Sequence, residues 1–203
     1  MSFCNLNISE EFNSFIWVNQ KTATSLASKI LENFGFKFYD VNGNKPIKIN
    51  NEFVQQHSCC LFNGHETYKF IATIRNPYSQ LVSEHLFFNL YDKDEQTYID
   101  EFENFLNKKF QITNNSCFSF KERVPDYILR VENLYEDYMK IPFIKDSEFS
   151  KSGTLKKLID SNINKGRQVI DWKRFYNKNL ADLVYYNTSR YFELFNYNKN
   201  SYI

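Results

Sequence analysis

The sequence predicts an α/β fold in which a central parallel sheet carries helices on both faces. Three observations point there. Residues 68–74, Tyr-Lys-Phe-Ile-Ala-Thr-Ile, form a β-rich and mostly apolar run of the kind that fills a central parallel strand. Residues 15–18, Phe-Ile-Trp-Val, form a second such run. Each run gives way to a polar turn and then to residues at helical spacing: Leu26, Ile30, Leu31 and Phe34 after the first, and Leu81, Val82, His85, Leu86 and Phe88 after the second. A strand, a helix and a return strand on this scale is a βαβ unit, and two of them imply a parallel sheet.

The remaining elements follow in order. Residues 1–13 show no strong periodicity. Gly35 is a natural stop for the first helix, and Phe36 to Tyr39 alternates like a short strand. Asp40 to Asn51, rich in Asn and Gly, reads as a loop, and Glu52 to Gln56 as a helical turn. Pro77 suits the first turn of the helix after the second strand. Tyr98 to Phe110 places Ile99, Phe102, Phe105, Leu106 and Phe110 on one helical face. Ile112 to Lys121 reads as a polar loop or weak strand, Pro125 to Val131 as another buried strand, and Glu132 to Lys140 as its helix. Residues 141–175 mix a proline, glycines, serines and charges around one helical patch, Leu155 to Ile159, and are expected to form a substrate or cofactor loop. Asn179 to Phe195 closes the chain as a helix. One domain is predicted over residues 1–203, with its core in 14–197.

Composition narrows the function. With 203 residues, 42% hydrophobic and 24% charged, the chain is long enough for a sizeable core and belongs with globular proteins. A formal charge of +1 offers no general attraction to nucleic acid or a membrane surface, so any positive patch is local. No apolar run reaches the roughly 18 residues of a membrane span, and no basic segment followed by an apolar one opens the chain. A cytoplasmic or otherwise soluble location is therefore expected. Cys4, Cys59, Cys60 and Cys117 show no CxxC spacing, so neither zinc nor a disulfide framework is predicted.

The chemistry gathers at the two polar turns. Gln20, Lys21, Thr22, Ala23, Thr24 and Ser25 sit between the first strand and its helix. A turn of that kind aims backbone N–H groups and the positive end of the helix dipole at whatever lies in the crevice. Lys21 adds a full charge, and Thr22, Thr24 and Ser25 add neutral donors. Ser and Thr also gather at helix starts simply as caps, so the turn on its own fits both a phosphate cradle and ordinary capping. The Walker pattern GxxxxGK[ST] is absent, since no glycine lies between Phe15 and Phe34. At the second turn, Arg75 stands at the carboxyl end of the central strand and Ser83 follows on the helix. Guanidinium plus hydroxyl makes a phosphate clamp, although Arg75 could equally cap a structural carboxylate.

Both turns resemble motifs of the sulfotransferases that use 3′-phosphoadenosine-5′-phosphosulfate (PAPS). Gln20 to Leu26 is similar to the family's 5′-phosphosulfate loop, K-[ST]-G-T-T, with Ala23 in place of glycine and Ser25 in place of the second threonine. The alanine implies that this position does not require a positive φ. Arg75 to Ser83 resembles the 3′-phosphate motif, R-[ND]-P-Y-x-R-L-V-S, with Gln80 replacing the second arginine. Asp126 to Leu134 and Tyr176 to Tyr197 resemble two later segments, so the likeness spans most of the chain. It implies a three-layer fold like that of P-loop NTPases; within these segments Arg130 and Glu132 read as a buried Arg–Glu network, and Phe192 and Phe195 as core aromatics. Lys165, Gly166 and Arg167 lie where the family supplies a basic, glycine-containing segment to the 3′-phosphate; an ordinary solvated basic turn is the other reading.

Sulfuryl transfer needs a base for the acceptor and a stabilised 5′-phosphate as leaving group, but no metal, because a lysine and backbone donors can carry the developing charge. The predicted catalytic residues are Lys21 and His57, the latter resembling the family's H-[ST] segment in His57 and Ser58. Glu52 and Glu66 stand in reserve as bases, His65 falls in an expected exposed turn, and His85 lies inside the second helix. The expected acceptor is a glycan or small molecule. Two rivals remain: an inert nucleotide- or glycan-binding relative, for which Ala23 and Gln80 speak, and a small-molecule kinase, which would need Mg²⁺ and ATP. Trp172 is left open between core residue and stacking platform.

Overall fold

A computed structural model of the chain describes residues 5–18, 22–39, 47–49, 52–54, 65–88, 94–112, 123–163 and 170–203. The chain divides into two compact units, Met1–Ile74 with Lys121–Gly166, and Arg75–Phe120 with Arg167–Ile203. Each is an α-helical or α/β body in its own right.

The first unit is built on a five-stranded sheet in the order β3-β1-β2-β6-β7. Its strands are β1 (Asn5–Ser9), β2 (Ser14–Val18), β3 (Lys37–Tyr39), β6 (Lys69–Ile74) and β7 (Tyr127–Arg130). The centre is parallel as expected: β2 runs beside β6, and β6 beside β7. The other side is not. β1 is antiparallel to both β2 and β3, so the sheet is mixed. The first thirteen residues thus hold an interior strand, between β3 and β2, that the sequence does not announce. Two of its five residues are asparagines, which disfavour strands, and Asn13 at φ 43° closes the hairpin into β2 in a conformation asparagine tolerates better than most.

A separate hairpin joins β4 (Ile47–Ile49) to β5 (Glu52–Val54), where a loop and a helical turn were expected. The alternation in Ile47 to Ile49 and Glu52 to Val54 is too short to be distinguished from loop in the sequence.

Helices cover the unit. α1 (Thr24–Glu32) buries Leu26, Ala27, Ile30 and Leu31. It ends where predicted: Gly35 takes φ 67°, and the Phe36 N–H returns to the Leu31 carbonyl at 3.3 Å, satisfying a carbonyl the helix end would leave open. After β7 come a 3-10 turn (Val131–Asn133) and four helices, α4 (Leu134–Tyr138), α5 (Pro142–Lys145), α6 (Glu148–Lys151) and α7 (Thr154–Ile163). The stretch expected to be a loop is therefore helical as far as Ile163. Ile141, Ile144, Leu155 and Ile159 are fully buried there and join Ile16, Ile71 and Leu129 from the sheet in one core. Burial of each such side chain is worth about 1.5–3 kcal/mol, enough to hold helices of one turn that could not form alone. Phe143 stacks on Phe12 at 4.2 Å with Phe34 and Phe36 around it.

Asp126 staples the amino-terminal edge of the sheet. Its carboxylate accepts from the Phe70 N–H at 2.9 Å, Lys69 Nζ at 2.9 Å and Arg123 Nη2 at 2.8 Å. Burial pushes this carboxyl up, but the three donors outweigh it and hold it below the usual aspartate range.

The second unit contains α2 (Pro77–Phe88), α3 (Glu95–Ile112) and α8 (Lys178–Phe195). Each start is capped by a side chain. Asn76 Oδ1 accepts the Tyr78 N–H at 3.0 Å, Asp94 Oδ1 the Thr97 N–H at 2.9 Å, and Asn177 Oδ1 the Leu180 N–H at 3.0 Å. At Thr188 the α8 backbone leaves helical geometry, and its hydroxyl donates back to the Val184 carbonyl at 2.7 Å. Tyr78 is the hub, fully buried and ringed by Trp172, Tyr176, Phe192 and Tyr202. Trp172 is thus a packed partner of Tyr78. The Tyr78 hydroxyl donates to the Lys199 carbonyl at 2.7 Å, and burial pushes its pKa well above the usual tyrosine range, so it remains a neutral donor. Among the described residues no helix is long and apolar enough to cross a membrane.

Candidate functional site

In the first unit the candidate site is the carboxyl edge of the parallel strands. Val18 of β2 lies opposite Thr73 of β6, and Ile74 opposite Arg130 of β7, so the three strands end along one line. Open α/β sheets bind ligands at such an edge. Gln20 and Lys21 lie outside the described residues, and the side chain of Thr24 is not described. From Thr22 onward the turn is defined.

Thr22 is fully buried, and its hydroxyl lies 2.5 Å from that of Thr73, which is buried as well. This bond ties the turn to the end of β6. The Thr22 side chain therefore braces the turn from inside, and Ser25, which is exposed, is the hydroxyl that faces outward.

Ala23 overturns an expectation. Its φ and ψ are 58° and 36°, a left-handed conformation, where alanine in place of glycine implied that no positive φ was needed. It is the residue that initiates α1, and its carbonyl accepts the Ala27 N–H at 2.9 Å. The backbone adopts the glycine-like shape without the glycine. Part of the compensation is visible, since Ala23 packs against the core that α1 and α7 share. The cost of a left-handed residue other than glycine is about 1–2 kcal/mol. Having no polar side chain, Ala23 cannot cap, and no acidic residue occupies the first turn of α1, so the amide end of the helix keeps its positive character.

The backbone angle makes a prediction of its own. Ala23→Gly relieves strain but loses a packed methyl and adds unfolded-state entropy, so its stability is expected to stay within about 0.5 kcal/mol of wild type. Ala23→Val places a β-branched residue at a forbidden angle and is expected to cost about 2 kcal/mol. Urea unfolding midpoints check both. A tolerated valine with a destabilising glycine would show the position to be right-handed.

Arg130, at the end of β7, was expected to pair with Glu132. Its partner is instead Asp137 of α4, a fully buried carboxylate that accepts the Arg130 N–H at 2.9 Å, Arg130 Nη1 at 3.4 Å and Lys140 Nζ at 2.5 Å. Glu132 is exposed on the intervening 3-10 turn. Asp137 lies one turn into α4, where its carboxylate can reach back to the strand end; a linear motif hides that geometry.

In the second unit Arg75 is partly exposed and Ser83 half-buried. Arg75 Nε donates to Ser79 Oγ at 2.9 Å, and Ser79 Oγ donates to the Asn76 carbonyl at 3.1 Å. The rest of the motif is structural. Asn76 caps α2 and holds Ser201 Oγ at 2.8 Å, Tyr78 is the hub already described, and Gln80 is buried.

Of the candidate bases, His85 is removed from the choice. It is buried among Phe102, Phe105 and Phe175 with Nε2 at 2.9 Å from the Tyr98 carbonyl, which can only accept, so the ring is committed as a structural donor. His65 begins a 3-10 turn (His65–Thr67), Glu66 on that turn is exposed, and Glu52 lies in β5. His57 and Lys165, Gly166 and Arg167 lie outside the described residues. Among the described residues no group of three or more His, Cys, Asp and Glu side chains could hold a metal ion.

Compared with protein-family models, curated proteins and solved structures, the chain matches none.

Proposed function

We propose that the chain is a sulfotransferase that moves a sulfuryl group from PAPS to a hydroxyl or amine acceptor, by default on a carbohydrate. The observation that carries this reading is the left-handed turn at Ala23. It stands at the carboxyl end of a parallel strand and at the start of a nine-residue helix without acidic residues in its first turn, within the lysine-, threonine- and serine-bearing motif. That strained backbone, kept with alanine where the related motif has glycine, fits a cradle for a phosphate better than it fits plain capping, which Ala23 cannot perform. The chain leaves β6, the strand beside β2, at Ile74 and passes directly into Arg75.

In this reading the three-layer, P-loop-like arrangement is part of the proposal. In this proposal Lys21, the backbone amides of residues 22–25 and the Ser25 hydroxyl would hold the 5′-phosphosulfate, and the resemblance assigns Arg75, Ser83 and residues 165–167 to the 3′-phosphate. Bound PAPS supplies an activated sulfuryl group. His57 would take the acceptor proton as the acceptor oxygen or nitrogen bonds to sulfur, and the electron pair of the sulfur–oxygen bond would leave on the 5′-phosphate. Lys21 and the amides stabilise the charge that builds there, which is why no metal is required by the mechanism.

His57→Ala is expected to lower turnover by roughly 10²–10⁴-fold while leaving affinity for adenosine 3′,5′-bisphosphate unchanged. Release of the bisphosphate from PAPS, followed over a panel of saccharide and phenolic acceptors, measures the first; calorimetry measures the second. Normal turnover in the variant would remove His57 as base and leave Glu52 and Glu66. Bisphosphate binding with no turnover on any acceptor would favour the inert relative.

A further inference from the structure

We propose that Arg130 is an anion-binding residue whose outer guanidinium edge takes a carboxylate or sulfate group of the acceptor. Calling that ligand an acceptor rests on the sulfotransferase reading; the binding position itself rests only on the geometry of the first unit. An Arg–Glu pair with Glu132 would have used the arginine up, and that pair does not form.

Asp137 accounts for the open edge. Its carboxylate is fully buried and accepts the Arg130 backbone N–H at 2.9 Å and Lys140 Nζ at 2.5 Å. An amide and an ammonium at those distances supply the hydrogen bonds and the countercharge that a buried carboxylate needs. Arg130 Nη1 stands farther off, 3.4 and 3.5 Å from the two carboxylate oxygens, which is long for a hydrogen bond and makes its hold mainly electrostatic. Two cations thus share one anion, and the cluster keeps a positive excess. The Arg130 side chain is 32% exposed, and among the described residues its Nε and Nη2 are neither bonded nor buried.

Nε and Nη2 make up the side-on fork of a guanidinium, whose two N–H groups meet two oxygens of one carboxylate, sulfate or phosphate. Its place suits a ligand. Arg130 lies opposite Ile74 on the line where the parallel strands end. In the sheet order β7 is two strands from β2, whose turn takes the 5′-phosphosulfate in the proposed reading; at about 4.8 Å per strand the two ends are about 10 Å apart. The same reading gives the 3′-phosphate to Arg75. An anion at Arg130 therefore belongs to the second molecule, which in sulfuryl transfer is the acceptor.

The test titrates the full chain, carrying nitrogen-15 arginine, with a tetrasaccharide of alternating glucuronate and N-acetylglucosamine, with its carboxyl-reduced counterpart, and with adenosine 3′,5′-bisphosphate, all at one ionic strength. The Arg130 Nε–H resonance, identified by its loss in Arg130→Gln or Arg130→Lys, is expected to shift saturably with the glucuronate probe alone. By calorimetry Arg130→Gln is expected to weaken that probe about tenfold and to leave the bisphosphate unchanged, with Arg130→Lys, which keeps the charge without the fork, recovering part of the loss. Melting curves verify that both variants fold. A silent Arg130 resonance, or equal weakening of every ligand, would show a merely structural arginine and overturn the proposal. A shift with the bisphosphate in place of the glucuronate would put the anion on the nucleotide and overturn the acceptor assignment. Wild type that binds the glucuronate probe through Arg130 but not the bisphosphate would reject the sulfotransferase reading and leave the anion site standing; normal bisphosphate binding with no glucuronate response rejects Arg130 alone.

Discussion

Glu84→Gln is expected to destabilise the protein by about 3 kcal/mol, the cost of removing one charge from a buried ion pair. Glu84 of α2 accepts from Lys109 of α3, and the two side chains are only 7% and 11% exposed. The glutamine keeps the shape and one hydrogen bond, so the loss isolates the charge. Lys109 then keeps its poorly hydrated position with the charge of this carboxylate removed. In a chain of this size the melting temperature should fall by roughly 10 °C. The double variant Glu84→Leu with Lys109→Met removes both charges and is expected to recover most of the stability, because the pair exists to satisfy its own burial. An unchanged urea midpoint in Glu84→Gln would mean that water reaches the pair and that α2 and α3 are held by their apolar faces alone.

The second large effect concerns binding. Arg75→Ala is expected to weaken adenosine 3′,5′-bisphosphate by about 100-fold, since a bidentate guanidinium supplies two charge-assisted bonds worth about 1.5–3 kcal/mol each against water. Arg75→Lys should recover only part of this, because an ammonium is a point charge and cannot use the Ser79 contact in the same way. Adenosine 5′-phosphate, which lacks the 3′-group, should be indifferent to both. The same loss for both nucleotides would place Arg75 elsewhere than the 3′-phosphate.

How much of this could be read from the sequence follows from the physics of each segment. β2, β6, β7, α2, α3 and α8 are legible because each spends a continuous apolar run or a clear helical face on the core. β1 is not, since a strand with two asparagines owes its existence to partners on either side, β2 and β3, which no local pattern reveals. The segment from Pro142 to Ile163 misleads for the opposite reason. Its helices α5 and α6 have four residues each, too few for periodicity, and Ile141, Ile144 and Leu155 hold them by tertiary packing.

At the site, residue identity was legible and conformation was not. Ala23 in the sequence argues against a positive φ, because the letter carries the intrinsic preference and not the strain that surrounding structure can impose. Thr22 shows the same limit. Its hydroxyl counts as a donor for a ligand until β6 is found to supply Thr73. Asp137 was invisible as the partner of Arg130 because a conspicuous Glu132 stood closer in sequence. Ser79 could have been found from its spacing of four from Arg75 on a predicted helix, a geometry in which side chains meet.

The measurement that bears most directly on the central claim is titration of the purified chain with adenosine 3′,5′-bisphosphate in EDTA, run beside ATP with Mg²⁺. The account predicts metal-independent binding of the bisphosphate that is lost in Arg75→Ala, with Mg-ATP binding weakly or not at all. Preference for Mg-ATP, or no binding of the bisphosphate, would contradict it and return the left-handed turn at Ala23 to the kinase reading or to structural capping.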